Sequence, residues 1–133
     1  MKTSEITYLG KLRTNAVHLK SGNIVITDAP TDNKGKGEYF SPTDLLATSL
    51  ASCMLTIIGI VAEENNFCIT NTKAEVTKVM GDKPRRIIEI IIDFYFNKDF
   101  SAKEKTLINN AINNCPVGKS LNPEIKQIIN LNF

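Results

Sequence analysis

The chain has no tryptophan, one histidine and three cysteines in 133 residues, and each scarcity excludes something. One imidazole and no Cys-x-x-Cys pair leave a zinc or iron centre without ligands, so neither metal nor cofactor is expected. Three unevenly spaced cysteines do not make the disulfide framework of a secreted protein, so thiols held reduced in the cytoplasm are expected. Uninterrupted apolar runs are short, residues 57–62 being typical, against the ~20 residues of a membrane span. Lys2 is followed by no apolar run of the signal-peptide kind. The net charge is only +2, and the basic turn Lys83-Pro84-Arg85-Arg86 has no interleaved aromatics. Nucleic acid and membrane are therefore not expected partners. Gly35-Lys36-Gly37 lacks the spacing of a phosphate-cradling loop.

What is present is an ordinary core. Apolar residues make up 42% and charged residues 23%, enough for a single domain over residues 1–133 without covalent staples. Residues 5–13, 17–20 and 23–27 alternate as strands, the last two around a turn at Ser21-Gly22-Asn23. Residues 29–40 read as a mobile loop. Ser41-Pro42-Thr43-Asp44 then has the form of a helix start: a cap hydroxyl, a proline in the first turn and an acid three residues after the cap. That helix should run to about Glu64.

A strand pair over 69–80 and 85–97 follows around Gly81-Asp82-Lys83-Pro84, with Ile88, Ile90, Ile92, Phe94 and Phe96 predicted on one face. Ser101 and Glu104 cap a second helix with Leu107, Ile108, Ala111 and Ile112 as its buried stripe. Cys115-Pro116-Val117 opens a short third helix, and Ile125 to Phe133 alternates as the last strand. Strands, long helix, strands, helix, strand is an α+β order, not a parallel βαβ series.

The long helix carries small polar residues on one side, Ser49, Ser52, Cys53, Thr56 and Gly59, with no lysine among them and Glu63 as the one acid near its end. Two readings stand. Small side chains allow another backbone to approach, even the same helix across a two-fold axis, with the hydroxyls bonding back to their own helix. Alternatively the stripe lines a small site with Cys53 at its edge. For Cys53 itself the alternative is a buried, inert thiol, the common fate of a free cysteine, and Cys68, just after the long helix, is read as structural.

The segment Ser41-Pro42-Thr43-Asp44-Leu45-Leu46-Ala47 with Ser49-Leu50-Ala51-Ser52-Cys53 resembles the central-helix signature of the OsmC/Ohr family, the osmotically inducible and organic hydroperoxide resistance proteins. Cys115-Pro116-Val117-Gly118-Lys119-Ser120-Leu121 is similar to that family's second cysteine motif, and the two cysteines are 62 residues apart. The resemblance implies antiparallel sheets around a long buried central helix, in an intertwined homodimer. It implies reduction of organic hydroperoxides, Cys53 attacking to become a sulfenic acid and Cys115 condensing with it to a disulfide that a dithiol reductant reopens. It also implies an arginine from the N-terminal strands beside the thiolate, for which Arg13 is the candidate. Thr43 stands where the most active members carry a glutamate to hold that arginine. Thr43 and Ser49 are the helix candidates for contact with substrate. Without the glutamate, a small-ligand-binding or redox-sensing dimer is the alternative.

The need for a cation can be argued physically. A cysteine with a pKa near 8.5 is only a few per cent thiolate at neutral pH, and lowering it by ~2 units takes about 2.7 kcal/mol. Cys53 lies twelve residues past Ser41, roughly 18 Å along the axis, while a helix dipole acts within its first turn. An arginine at about 4 Å is worth up to ~4 kcal/mol at a surface-like dielectric. Cys115, by contrast, sits at a helix start and would on dipole grounds be the more acidic thiol. His18 is expected on the polar side of a strand.

Overall fold

Lys11 and Leu12 both take positive φ, 52° and 64°, and close a two-residue turn. The computed structural model, which describes residues 1–133, therefore ends the first strand at Gly10 and begins the second at Arg13, where the alternation carried the first to Arg13 and began the second at Val17. A pair of left-handed residues matches the strand twist, which makes this a good hairpin turn even without glycine at its centre. β1 (Ser4–Gly10), β2 (Arg13–His18) and β3 (Ile24–Asp28) form an antiparallel sheet in the order β1-β2-β3. Residues 29–40, expected to be mobile, form a folded loop with a short 3-10 helix at Thr31–Asn33. Pro30 O accepts from Asn33 N–H and Gly35 N–H, each at 2.9 Å. Gly35 is required here, because a Cβ on it would lie 1.7 Å from Ala29 O.

The chain divides into two compact units, residues 1–45 and residues 46–133. In the first, Thr27, Asp28 and Ser41 are the buried residues, while Ile6, Tyr8, Leu9, Ile24 and Val25 are exposed.

α1 (Pro42–Glu64) begins at the expected cap: Asp44 N–H donates to Ser41 Oγ at 3.0 Å, and Ser41 N–H to Asp44 Oδ2 at 2.9 Å. By length and composition α1 is apolar enough to cross a membrane, since Ser, Thr, Cys and Gly interrupt its apolar runs at little cost in hydropathy. Its buried residues Ala47, Leu50, Ala51, Met54, Ile58 and Ala62 follow the helical repeat along one face, and all but Ala62 belong to the core cluster of the second unit. Leu46 and Ile60, though apolar, are exposed.

β4 (Lys73–Gly81) and β5 (Arg86–Tyr95) pair antiparallel. A bulge pairs Val79 with Glu89 but Met80 with Ile87, leaving Ile88 without a partner. One extra residue turns the strand end over. Ile87 joins Ile90, Ile92, Phe94 and Phe96 in the core, and Ile88, expected there, is 37% exposed. α2 (Ala102–Ile112) has the full capping box of Ser101 and Glu104. α3 (Pro116–Ser120) follows, and β6 (Lys126–Asn132) lies parallel to β5, so the second sheet, β4-β5-β6, is mixed rather than antiparallel. The connection from β5 through α2 and α3 is what permits the parallel return. Phe67, Phe96, Phe100 and Phe133 close one end of this core, the Phe96 and Phe133 rings stacking at 4.9 Å.

Candidate functional site

Cys53 is half-buried on α1, one residue before the buried Met54, and packs against the apolar cluster that contains Cys115. Cys115 is 1% exposed. It is the N-cap of α3, its Sγ accepting from Gly118 N–H at 3.4 Å while Pro116 occupies the first turn. The two motif cysteines are thus brought together as neighbours, close enough for the Cys53 thiol to act on the ionisation of Cys115. Burial pushes the Cys115 thiol up, the Gly118 N–H works against that rise, and the Cys53 thiol adds to it. Cys115 is therefore not the acidic thiol that its place at a helix start suggested: burial outweighs the Gly118 and Val117 N–H groups at the head of α3.

The small polar stripe of α1 is mostly open. Ser49, Ser52 and Thr56 are exposed, and Cys53 lies at their edge. Ser49 Oγ donates to Leu46 O at 2.7 Å and Thr56 Oγ1 to Ser52 O at 2.9 Å, so these two hydroxyls are satisfied by their own helix. Thr43 hydrogen-bonds through Oγ1 with Ser41 Oγ at 3.2 Å, within the α1 cap.

Arg13 is held within the N-terminal unit by carboxylates that the α1 sequence does not contain. Its Nε donates to Asp28 Oδ1 at 2.7 Å and its Nη2 to Asp28 Oδ2 at 2.9 Å, a bidentate pair. Nη2 also donates to Glu38 Oε2 at 3.1 Å, and the guanidinium lies 4.9 Å from the centre of the Tyr39 ring. Asp28 is 1% exposed and takes a further bond from Glu38 N–H at 3.1 Å. Arg13 holds the Asp28 carboxyl below the usual carboxylate range against the opposing effect of burial, and Asp28 in turn raises the Arg13 guanidinium.

Asp28 and Glu38 were not among the residues singled out from sequence. Asp28 was within reach: counting outward from the Val17–Ile24 pair of the β2–β3 hairpin places it directly opposite Arg13. Glu38 arrives through the folded loop, which no periodicity announces.

Cys68, read from the sequence as structural, is exposed. Its thiol lies 3.0 Å from Thr70 Oγ1 and accepts from Thr70 N–H at 3.4 Å; those two bonds, with Lys98 nearby, lower its pKa. It borders a cleft of about 410 Å³ with Leu55, Phe67 and Ile69. A smaller cleft of about 260 Å³ adjoins Met54, Cys115, Lys119 and Gln127. His18 Nδ1 lies 2.7 Å from Ser21 Oγ on the exposed β2–β3 turn. No three His, Cys, Asp or Glu side chains converge in the arrangement a metal ion would need.

Residues 35–130, which include both cysteine motifs, match the family model described as OsmC-like protein. The chain belongs to the OsmC-like protein family. Its structure superimposes, with a TM-score of 0.96 and 55% identity, on a Psychrobacter arcticus protein provisionally described as an osmotic-stress-induced and detoxification-response protein, over 99% of this chain and 96% of that one. A Legionella pneumophila structure described as an organic hydroperoxide resistance protein OsmC is 13% identical and shares the fold, with a TM-score of 0.78 over 100% of this chain and 98% of that one. An organic hydroperoxide resistance protein of Elizabethkingia anophelis, 15% identical, shares it with a TM-score of 0.73 over 99% and 96% of the two chains. Among curated proteins none matches the chain.

Proposed function

We propose that this OsmC-like protein is a two-cysteine reductase of organic hydroperoxides, acting where cytoplasmic thiols are kept reduced. The observation that carries the reading is the juxtaposition of half-open Cys53 with buried Cys115, the two cysteines of the family's two motifs. The Cys53 thiolate attacks the terminal oxygen of ROOH. The O–O bond breaks, the departing alkoxide takes a proton to become ROH, and sulfur is left as Cys53–SOH. The Cys115 sulfur then attacks Cys53 Sγ, expelling water, and a dithiol reductant returns both thiols. Arg13 is assigned to the thiolate by the family pattern. Within the N-terminal unit its guanidinium is held by Asp28 and Glu38, carboxylates of a kind that Thr43 cannot supply.

We further propose that the working form is a homodimer. In support, the three-stranded N-terminal sheet exposes Ile6, Tyr8, Leu9, Ile24 and Val25, and a sheet of this size needs a covered face. The apolar cluster against which Cys53 packs supports a preference for alkyl or fatty-acid hydroperoxides over hydrogen peroxide.

One equivalent of cumene hydroperoxide added to the reduced protein, followed by peptide mass spectrometry, tests the chemistry. The expected product is an intramolecular Cys53–Cys115 disulfide, formed rapidly and absent from Cys53→Ser and Cys115→Ser. Thiols that stay reduced over many minutes would refute the peroxidase and favour a dimer that binds a small ligand without turnover, the reading that Thr43 in place of glutamate suggests.

A further inference from the structure

The two sulfurs of the pair differ in a way that the reduction step must respect. Thiol–disulfide exchange is a displacement at sulfur: the incoming sulfur, the attacked sulfur and the leaving sulfur lie nearly in line, and access selects which sulfur is attacked. Cys53 is half-open, on the side of α1 that exposes Ser49, Ser52 and Thr56, small side chains that leave room for an approaching thiolate. Cys115 is 1% exposed, and although it borders the small cleft by Gln127, it lies within the apolar core cluster. A hydrogen-bond donor is already aimed at its sulfur, the Gly118 N–H at 3.4 Å. An anion that forms there as the S–S bond breaks meets a donor already in place, which offsets part of the cost of burying it, so access to Cys53 and not the acidity of Cys115 selects the attacked sulfur.

We infer that the reductant attacks Cys53 Sγ, so that the mixed disulfide forms on Cys53 and Cys115 departs as the thiolate received by Gly118 N–H. In balance, RS⁻ forms a bond to Cys53 sulfur, the Cys53–Cys115 bond breaks, and its electron pair goes to Cys115, which then takes a proton. The second thiol of a dithiol displaces Cys53 in turn, leaving the reductant as a cyclic disulfide and both cysteines reduced. This inference rests on the Cys53–Cys115 pairing of the proposed function, but not on reaction with peroxide. Residues at the open face of α1 would then meet the reductant as well as the hydroperoxide.

The test separates the two ideas by making the disulfide with diamide, which oxidises a vicinal thiol pair without a hydroperoxide. Cys68→Ser protein is used beside the wild type, to remove the exposed third thiol from the exchange. Excess 2-mercaptoethanol is added to the oxidised protein, samples are quenched in acid at short times and alkylated with N-ethylmaleimide, and the modified peptides are quantified. Extrapolated to zero time, the mercaptoethanol adduct is expected on Cys53, with maleimide on Cys115, at least tenfold over the reverse pattern. An adduct chiefly on Cys115, or divided evenly, would overturn the inference while leaving the peroxidase reading intact. Failure of diamide to produce the Cys53–Cys115 bond would overturn it as well. A cumene hydroperoxide arm run in parallel reports separately on the peroxidase.

Discussion

Leu50 offers the sharpest link between packing and the thiol pair. It is fully buried on α1, one turn before Cys53 and Met54, and its Cδ1 lies 3.4 Å from where a Cβ on Gly118 would stand. It therefore fills the space beneath α3, the helix whose cap is Cys115. Leu50→Ala removes its three outer side-chain carbons from a site with no access to solvent. Losses of this kind cost about 2–5 kcal/mol, the spread reflecting how far the surroundings collapse into the gap. A loss of about 3 kcal/mol in a chain of this size lowers Tm by roughly 10–15 °C. The same gap loosens the seat of α3, and disulfide formation depends on sulfur-to-sulfur placement to a fraction of an ångström. Closure of the Cys53–Cys115 bond after oxidation is therefore expected to slow about tenfold, while formation of the Cys53 sulfenic acid keeps its wild-type rate. Urea denaturation of the reduced protein reads the first effect. Stopped-flow oxidation with a sulfenic-acid trap reads the second. A stability loss below about 1 kcal/mol would refute the packing argument. A full stability loss with an unchanged closure rate would show that Leu50 does not set the position of Cys115.

Two further predictions concern elements away from the thiols. Because Arg13 lowers the Asp28 carboxyl, its ionised form stabilises the fold above the ordinary carboxylate range, and that contribution is lost as pH falls through the depressed folded value. Asp28→Asn is therefore expected to be less stable than wild type at pH 7 and to approach it as the pH is taken below about 4, in urea titrations at each pH; a constant difference would sink the ion-pair account. The bulge in β5 predicts that Ile87→Ala costs about 2–4 kcal/mol and Ile88→Ala under about 1 kcal/mol, so equal losses from the neighbouring isoleucines would contradict the register.

Local chemistry was enough to read much of this protein from its sequence. The extent of α1, its Ser41–Asp44 cap, the capping box of α2 and the placement of Cys115 at the head of α3 all depend on residues within one or two turns of each other. The two cysteine motifs and the α+β order were legible for the same reason. Tertiary structure decided what depends on residues distant in the chain. It moved the boundary between the first two strands to a turn at Lys11-Leu12, exchanged Ile88 for Ile87 in the core through a bulge and laid β6 parallel to β5. It turned the dipole argument at Cys115 around, because the cost of burying a thiolate is set by what packs over it and not by its place in a helix. It also supplied Arg13 with Asp28 and Glu38, carboxylates fifteen and twenty-five residues away in sequence. A hairpin register and a folded loop bring those charges within hydrogen-bonding distance, and that geometry exists only once the chain has closed on itself.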